Sequence, residues 1–167
     1  MTKEQLLDDL KSFLVKSTKH YELPEAIQKG DTEQKFRAPE IYKMRLPDSN
    51  DAKKKAPYII AQYVTGKDFH KQLQRSQSTA IVRLIFCVYN KDEQEGALSL
   101  LNVMETVRMD LMKQVLIGKC FKLDTDAGME SLVYPEDTAP YYAGEMMFTV
   151  FVPPTEREVN YGKENSR

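Results

Sequence analysis

Between Thr79 and Tyr89 the chain reads TAIVRLIFCVY, a run that is apolar on both faces of an extended strand apart from Arg83. A strand buries both faces only when it sits centrally in a sheet that is covered on each side, so this segment commits the chain to a sheet with neighbours at both edges. It is followed at once by the longest helical pattern. From Asn90 to Val115, the residues Ala97, Leu100, Leu101, Met104, Val107, Leu111 and Val115 recur at three- and four-residue steps. Asn90 or Asp92 can cap this helix, Glu93 and Glu95 suit its positive end, and Gly118 fits its stop. Leu98, Val103 and Met112 widen the stripe beyond one seam, which predicts contact with more than a sheet face, namely a neighbouring subunit.

The remaining pattern supplies the partners of this pair. Leu6, Leu7, Leu10, Phe13 and Leu14 mark an amphipathic N-terminal helix over Thr2–Thr18, with Thr2 and Gln5 spaced as a capping box. Tyr58–Thr65 reads as a strand, Glu40–Leu46 as a half-exposed one ended by Pro47, and Asp48–Lys55 as a solvated loop. Cys120–Asp124 and Glu130–Tyr134 read as strands flanking a turn at Thr125–Gly128, and Ala143–Val152 as the last strand, closed by Pro153 and Pro154. Gly66–Ser78 is too long for a tight turn and too polar for a core, so it is expected as an exposed hairpin loop. The fold class expected is α+β: a mainly antiparallel sheet with the N-terminal helix and the long helix packed on one face. One domain over residues 1–154 is expected, with an irregular charged insert at 25–56 and a polar, flexible tail at 155–167.

Composition narrows the function classes. The 167 residues are 41% hydrophobic and 29% charged, and the formal net charge is −1. That balance disfavours tight non-specific nucleic-acid binding, which needs a local excess of Lys and Arg. The two cysteines make neither a disulfide framework nor a zinc spacing, and Cys87 reads as a buried small hydrophobe. Met1–Leu14 interleaves Lys, Glu and Asp with its leucines, so no secretory signal is expected. No apolar run reaches the ~20 residues a spanning helix needs. A reducing cytoplasm is the expected setting.

Catalysis finds little material. The chain has two histidines, His20 beside a helix end and His70 in the polar loop, and both read as surface residues. No nucleophile elbow, phosphate-binding glycine loop or H-E-x-x-H occurs. The carboxylate groups Asp92, Glu93, Glu95 and Asp124, Asp126 could be drawn as divalent-metal sites, but helix capping and turn chemistry account for both. Neither an enzyme activity nor a cofactor is expected. Lys67, Lys71 and Arg75 stand at four-residue steps in the long loop; they read either as a solubilising loop or, were it helical on assembly, as one basic face. Met104, Met109 and Met112 on the helix, with Met146 and Met147 on the last strand, suit core or an adaptable interface.

Several stretches together resemble the tail-terminator (tail-completion, or neck) proteins of long-tailed bacteriophages of Gram-positive hosts. They are Pro57-Tyr-Ile-Ile, Thr65-Gly66-Lys67-Asp68 and Val82-Arg-Leu-Ile-Phe-Cys-Val-Tyr89. Asp92-Glu93-Gln94-Glu95-Gly96, Pro140-Tyr141-Tyr142-Ala143-Gly144-Glu145 and Val152-Pro153-Pro154 complete the set. The likeness spans residues 57–154, and Glu25–Lys55 falls outside it. It implies a homo-oligomeric ring, typically a hexamer, that ends tail-tube polymerisation and joins the tube to the head connector or stopper protein. Genome DNA would pass through the lumen without specific binding, and no membrane partner is implied. The setting would be the host cytoplasm during assembly and then the head-proximal end of the tail in the virion. On this reading Lys67, His70, Lys71 and Arg75 are candidates to dock the tube or line the lumen. Leu98, Val103, Met112, Tyr141 and Tyr142 are candidates for the subunit interface. The alternatives are a neighbouring neck protein such as a head-completion or adaptor subunit, a small metal-dependent hydrolase on Asp92, Glu93 and Glu95, and a nucleic-acid-binding module.

Overall fold

A computed structural model describes residues 1–136 and 138–155. The polar tail expected from residue 155 therefore lies, from 156 onward, outside the described residues. Helix α1 (Lys3–Thr18) begins at Thr2, whose hydroxyl accepts the Gln5 backbone N–H at 3.2 Å. The Gln5 side chain turns to Asp9 instead of back to the cap, so the capping box is half made. A two-residue ladder joins β1 (Leu23–Pro24) to β2 (Phe36–Arg37), and β3 (Glu40–Lys43) follows. A short 3-10 helix over Ser49–Lys55 then leads into β4 (Tyr58–Phe69) and β5 (Gln77–Tyr89). Helix α2 (Glu93–Gln114) comes next, then β6 (Leu116–Ile117), β7 (Phe121–Leu123), β8 (Met129–Val133) and β9 (Tyr141–Val152).

Among the described residues, seven strands form one sheet in the order β3-β4-β5-β9-β7-β6, with β8 also paired to β9. The class is α+β, as expected, and every pairing in this sheet is antiparallel except one. Strand β3 runs parallel to β4, Ile41 beside Ile59, which makes the sheet mixed. Strand β5 is central: it pairs along its length with β4 on one edge and β9 on the other. The expected hairpin between the strands near 120 and 130 does not form. Strands β7 and β8 instead lie end to end along the same edge of β9, Leu123 opposite Val150 and Met129 opposite Phe148. The Thr125–Gly128 turn steps the chain from one to the other.

One face of the sheet carries both helices. Leu6, Leu10 and Leu14 of α1 and Leu100, Met104, Val107 and Leu111 of α2 pack there on Ile59, Val82, Leu84, Phe86, Met146, Phe148 and Val150. Truncating one of these leucines to alanine would cost about 2–5 kcal/mol, so this layer carries much of the stability. The two helices are also tied to each other: Ser17 Oγ donates to Asp110 at 2.5 Å, and Tyr21 OH donates to the Asn102 carbonyl at 3.0 Å. The charged segment 25–56 has a structural role that its composition did not announce. Ala26 and Ala56 close over Tyr58, Ile60, Cys87 and Tyr89 on the other face, at one end of the sheet. Arg37 clamps the segment by donating to the carbonyls of Lys55 and Pro57 and pairing with Glu25 at 2.8 Å.

Candidate assembly surfaces

The polar stretch 66–78 is loop only at its centre, with strand at both ends. Strands β4 and β5 stay paired through Lys67 opposite Thr79 and Asp68 opposite Ser78, out to Phe69 opposite Gln77, so the loop proper is residues 70–76. Local chemistry holds this end together. The Ser78 hydroxyl donates to the Asp68 carboxylate, Lys67 Nζ stands 4.7 Å over the Phe69 ring, and Ser76 Oγ meets His70 Nδ1 at 2.9 Å across the base of the loop. In the single chain Lys67, Lys71 and Arg75 do not share a helical face: Lys67 sits on β4, while Lys71 and Arg75 stand before and after Leu73 in the 70–76 loop. At the tip itself is Leu73, held at φ 64° and fully exposed. A left-handed branched aliphatic residue with no apolar cover is an unusual choice for a solubilising loop.

Helix α2 presents the second surface. Asp92 caps it, one carboxylate oxygen accepting the backbone N–H groups of Gln94 and Glu95 at 3.0 Å each. Below the cap Gly96 is buried against Tyr142. On the outward side Leu98, Leu101, Met109 and Met112 are each 43–46% exposed, with the Glu105–Arg108 ion pair (2.8 Å) between them. The hydrogen bond from Arg108 holds the Glu105 carboxyl below its ordinary value. Leu98 and Met112 thus stand where an interface could use them. Val103 does not: it is buried in the chain's own core, because α1 packs beside α2 and widens the arc that α2 must cover. Leu101, read as part of the core stripe, is a surface residue, and Met109, read as core or adaptable interface, is one too, since periodicity gives a stripe's width but not which edge of it faces out.

Tyr141 and Tyr142 are half-buried on opposite faces at the start of β9. Tyr141 packs on Tyr89 with ring centroids 5.4 Å apart, Lys53 Nζ lies 5.7 Å from its ring centre, and burial raises its pKa. Tyr142 packs against the core under α2. Between them and the open part of the sheet runs a polar row that sequence reasoning did not find. Tyr134 OH donates to Glu145 at 2.9 Å, Arg83 donates from two nitrogens to Gln62 Oε1 at 3.0 and 2.8 Å, and Arg83 and Glu145 approach to 3.9 Å. Gln62 in turn donates to the Met44 carbonyl at 2.8 Å. This row accounts for Arg83, the one charge in the apolar run: it lies on the face away from the helices.

In each of the two carboxylate groups weighed as metal sites, one aspartate accepts backbone N–H bonds. Asp124 accepts from the N–H groups of Asp126 and Ala127, as Asp92 does at the helix start. Among the described residues no three His, Cys, Asp or Glu side chains gather as a metal-binding group. His20 stacks on Tyr21 at 4.5 Å, beside the Ser17–Asp110 bond in a cleft between the helices. No helix among the described residues is long and apolar enough to cross a membrane. A comparison with protein-family models finds no match, and a comparison with curated proteins finds none either.

Proposed function

We propose that this chain is a structural subunit that assembles as a ring on the end of a phage tail tube, ending its growth and forming the joint to the head connector. It acts by binding alone. The observation that carries this reading is the outward stripe of α2. Leu98, Leu101, Met109 and Met112 remain exposed on a helix whose other side already completes a core. Large aliphatic and thioether side chains lined up on one helix face are the kind of surface that a protein partner covers. The choice of this assembly rests on the sequence resemblance over residues 57–154. The formal net charge of −1 suits a conduit, since a lumen that held phosphates tightly would resist DNA passage.

The test is direct imaging. The purified chain, mixed with purified tail-tube protein and viewed in negative stain, should give closed rings and blunt tubes capped at one end. Fields of monomers beside uncapped, freely growing tubes would refute the reading.

A further inference from the structure

The two surfaces lie at opposite poles of the molecule. Strand β5 starts at Gln77, next to the 70–76 tip, and ends at Tyr89, just before the start of α2. Thirteen extended residues separate those ends by about 40 Å. Helix α2 then runs back over the sheet: Gly96 packs on Tyr142, the partner of Val88, and Met104 lies against Gly144, the partner of Phe86. Leu98 and Leu101 therefore belong to the pole opposite Leu73, and nothing within one chain can bring the two together.

The poles also match in character. The hairpin end, residues 66–77, carries Lys67, Lys71 and Arg75 against the single carboxylate of Asp68, with Leu73 bare at its tip. The start of α2, residues 91–95, carries Asp92, Glu93 and Glu95 against Lys91, with Leu98 and Leu101 bare beside them, while Lys53 at that end lies over Tyr141 on the other face of the sheet. Each surface is an apolar centre with a charged rim, and the rims have opposite sign. That is the usual composition of a protein contact, in which the apolar centre supplies affinity and the rim supplies orientation.

We propose that the hairpin tip of one copy docks on the start of α2 of the next, with Leu73 seated against Leu98 and Leu101 and with Lys71 and Arg75 facing Glu93 and Glu95. The contact is heterologous, so it propagates head to tail and closes into a ring when the rotation per subunit permits. It assigns the stretch 66–78 to the neighbouring subunit and not to the tail tube. The proposal rests on the ring reading above and specifies its joint.

A charge-exchange experiment tests it. One variant carries Lys71→Glu and Arg75→Glu, the other Glu93→Lys and Glu95→Lys. All four positions are exposed, and circular dichroism melts check that each variant folds. In sedimentation each variant alone should self-associate at least about tenfold more weakly than the parent, because like charges then face each other across the joint. An equimolar mixture should recover the parent's assembly, since every tip in an alternating ring then meets a rim of opposite sign. Two results would overturn the joint while leaving the ring reading intact: variants that assemble like the parent, or losses that mixing does not restore. Variants that assemble normally but no longer bind tube protein would move the tip to the tube. A parent chain that stays monomeric with and without tube protein overturns the joint and the ring together.

Discussion

A Cβ placed on Gly96 would lie 2.6 Å from Cδ2 and 2.8 Å from Cζ of Tyr142. The first turn of α2 is thus seated directly on the first residues of β9, and no side chain fits between them. Gly96→Ala gains about 1 kcal/mol of helix propensity but must displace a half-buried ring, and overpacking of this kind costs about 1–3 kcal/mol. The variant should be less stable than the parent in urea titrations. The loss should shrink in a Tyr142→Ala background, where the ring is gone; equal losses in both backgrounds would deny the contact.

Asp92 is accounted for as a helix cap. Asp92→Ala should lower stability by about 1 kcal/mol, the usual cost of losing such a cap. The decrease should be the same with and without added Mn²⁺ or Mg²⁺. A thermal shift from either cation that disappears in the variant would instead favour the metal-dependent reading of Asp92, Glu93 and Glu95.

Core and tip should separate cleanly by mutation. Phe86 is fully buried under the helices, and Phe86→Ala should cost about 3–5 kcal/mol by chemical denaturation. Leu73 is fully exposed in the single chain, so Leu73→Ala should leave the melting temperature unchanged at concentrations where the chain is monomeric, while weakening self-association. A stability loss at Leu73 comparable to that at Phe86 would place the tip within the chain's own core.

Alkaline pH should unfold the protein through groups that the fold keeps neutral. Burial pushes the Cys87 thiol up to about 11, and burial together with the hydrogen bond to Glu145 pushes Tyr134 up to about 12. Both values lie above the ordinary 9.0 and 10.0. Both groups therefore contribute stability that is fully present below the unfolded values and is lost as pH rises through the folded ones. Denaturation midpoints should fall between about pH 9 and 12, and Tyr134→Phe should flatten the upper part of the decline. A midpoint independent of pH in that window, or a slope unchanged by the substitution, would contradict the assignment.

The segments read correctly from sequence were those with long, strong periodicity. The β5 run and the α2 stripe are apolar over many residues, and the core they form follows from that alone. Pairing direction was not legible: Ile41 beside Ile59 and Leu123 opposite Val150 depend on where separate strands meet, which periodicity does not encode. Segment 25–56 closes the second face through Arg37 bonds to backbone carbonyls and two small buried residues, Ala26 and Ala56, and neither leaves a repeating pattern. The excess width of the α2 stripe had two causes. Val103 is buried in the core that α1 and α2 share, and of the stripe's large residues Leu98, Leu101, Met109 and Met112 are left exposed for a partner.

The mass of the particle in solution tests the central claim most directly. Sedimentation of the chain, alone and with tail-tube protein, should show one closed species several times the 19.3 kDa of a single copy, nearest to six copies for a hexameric ring. A particle of 19.3 kDa at every concentration, unchanged by the tube protein, would contradict it.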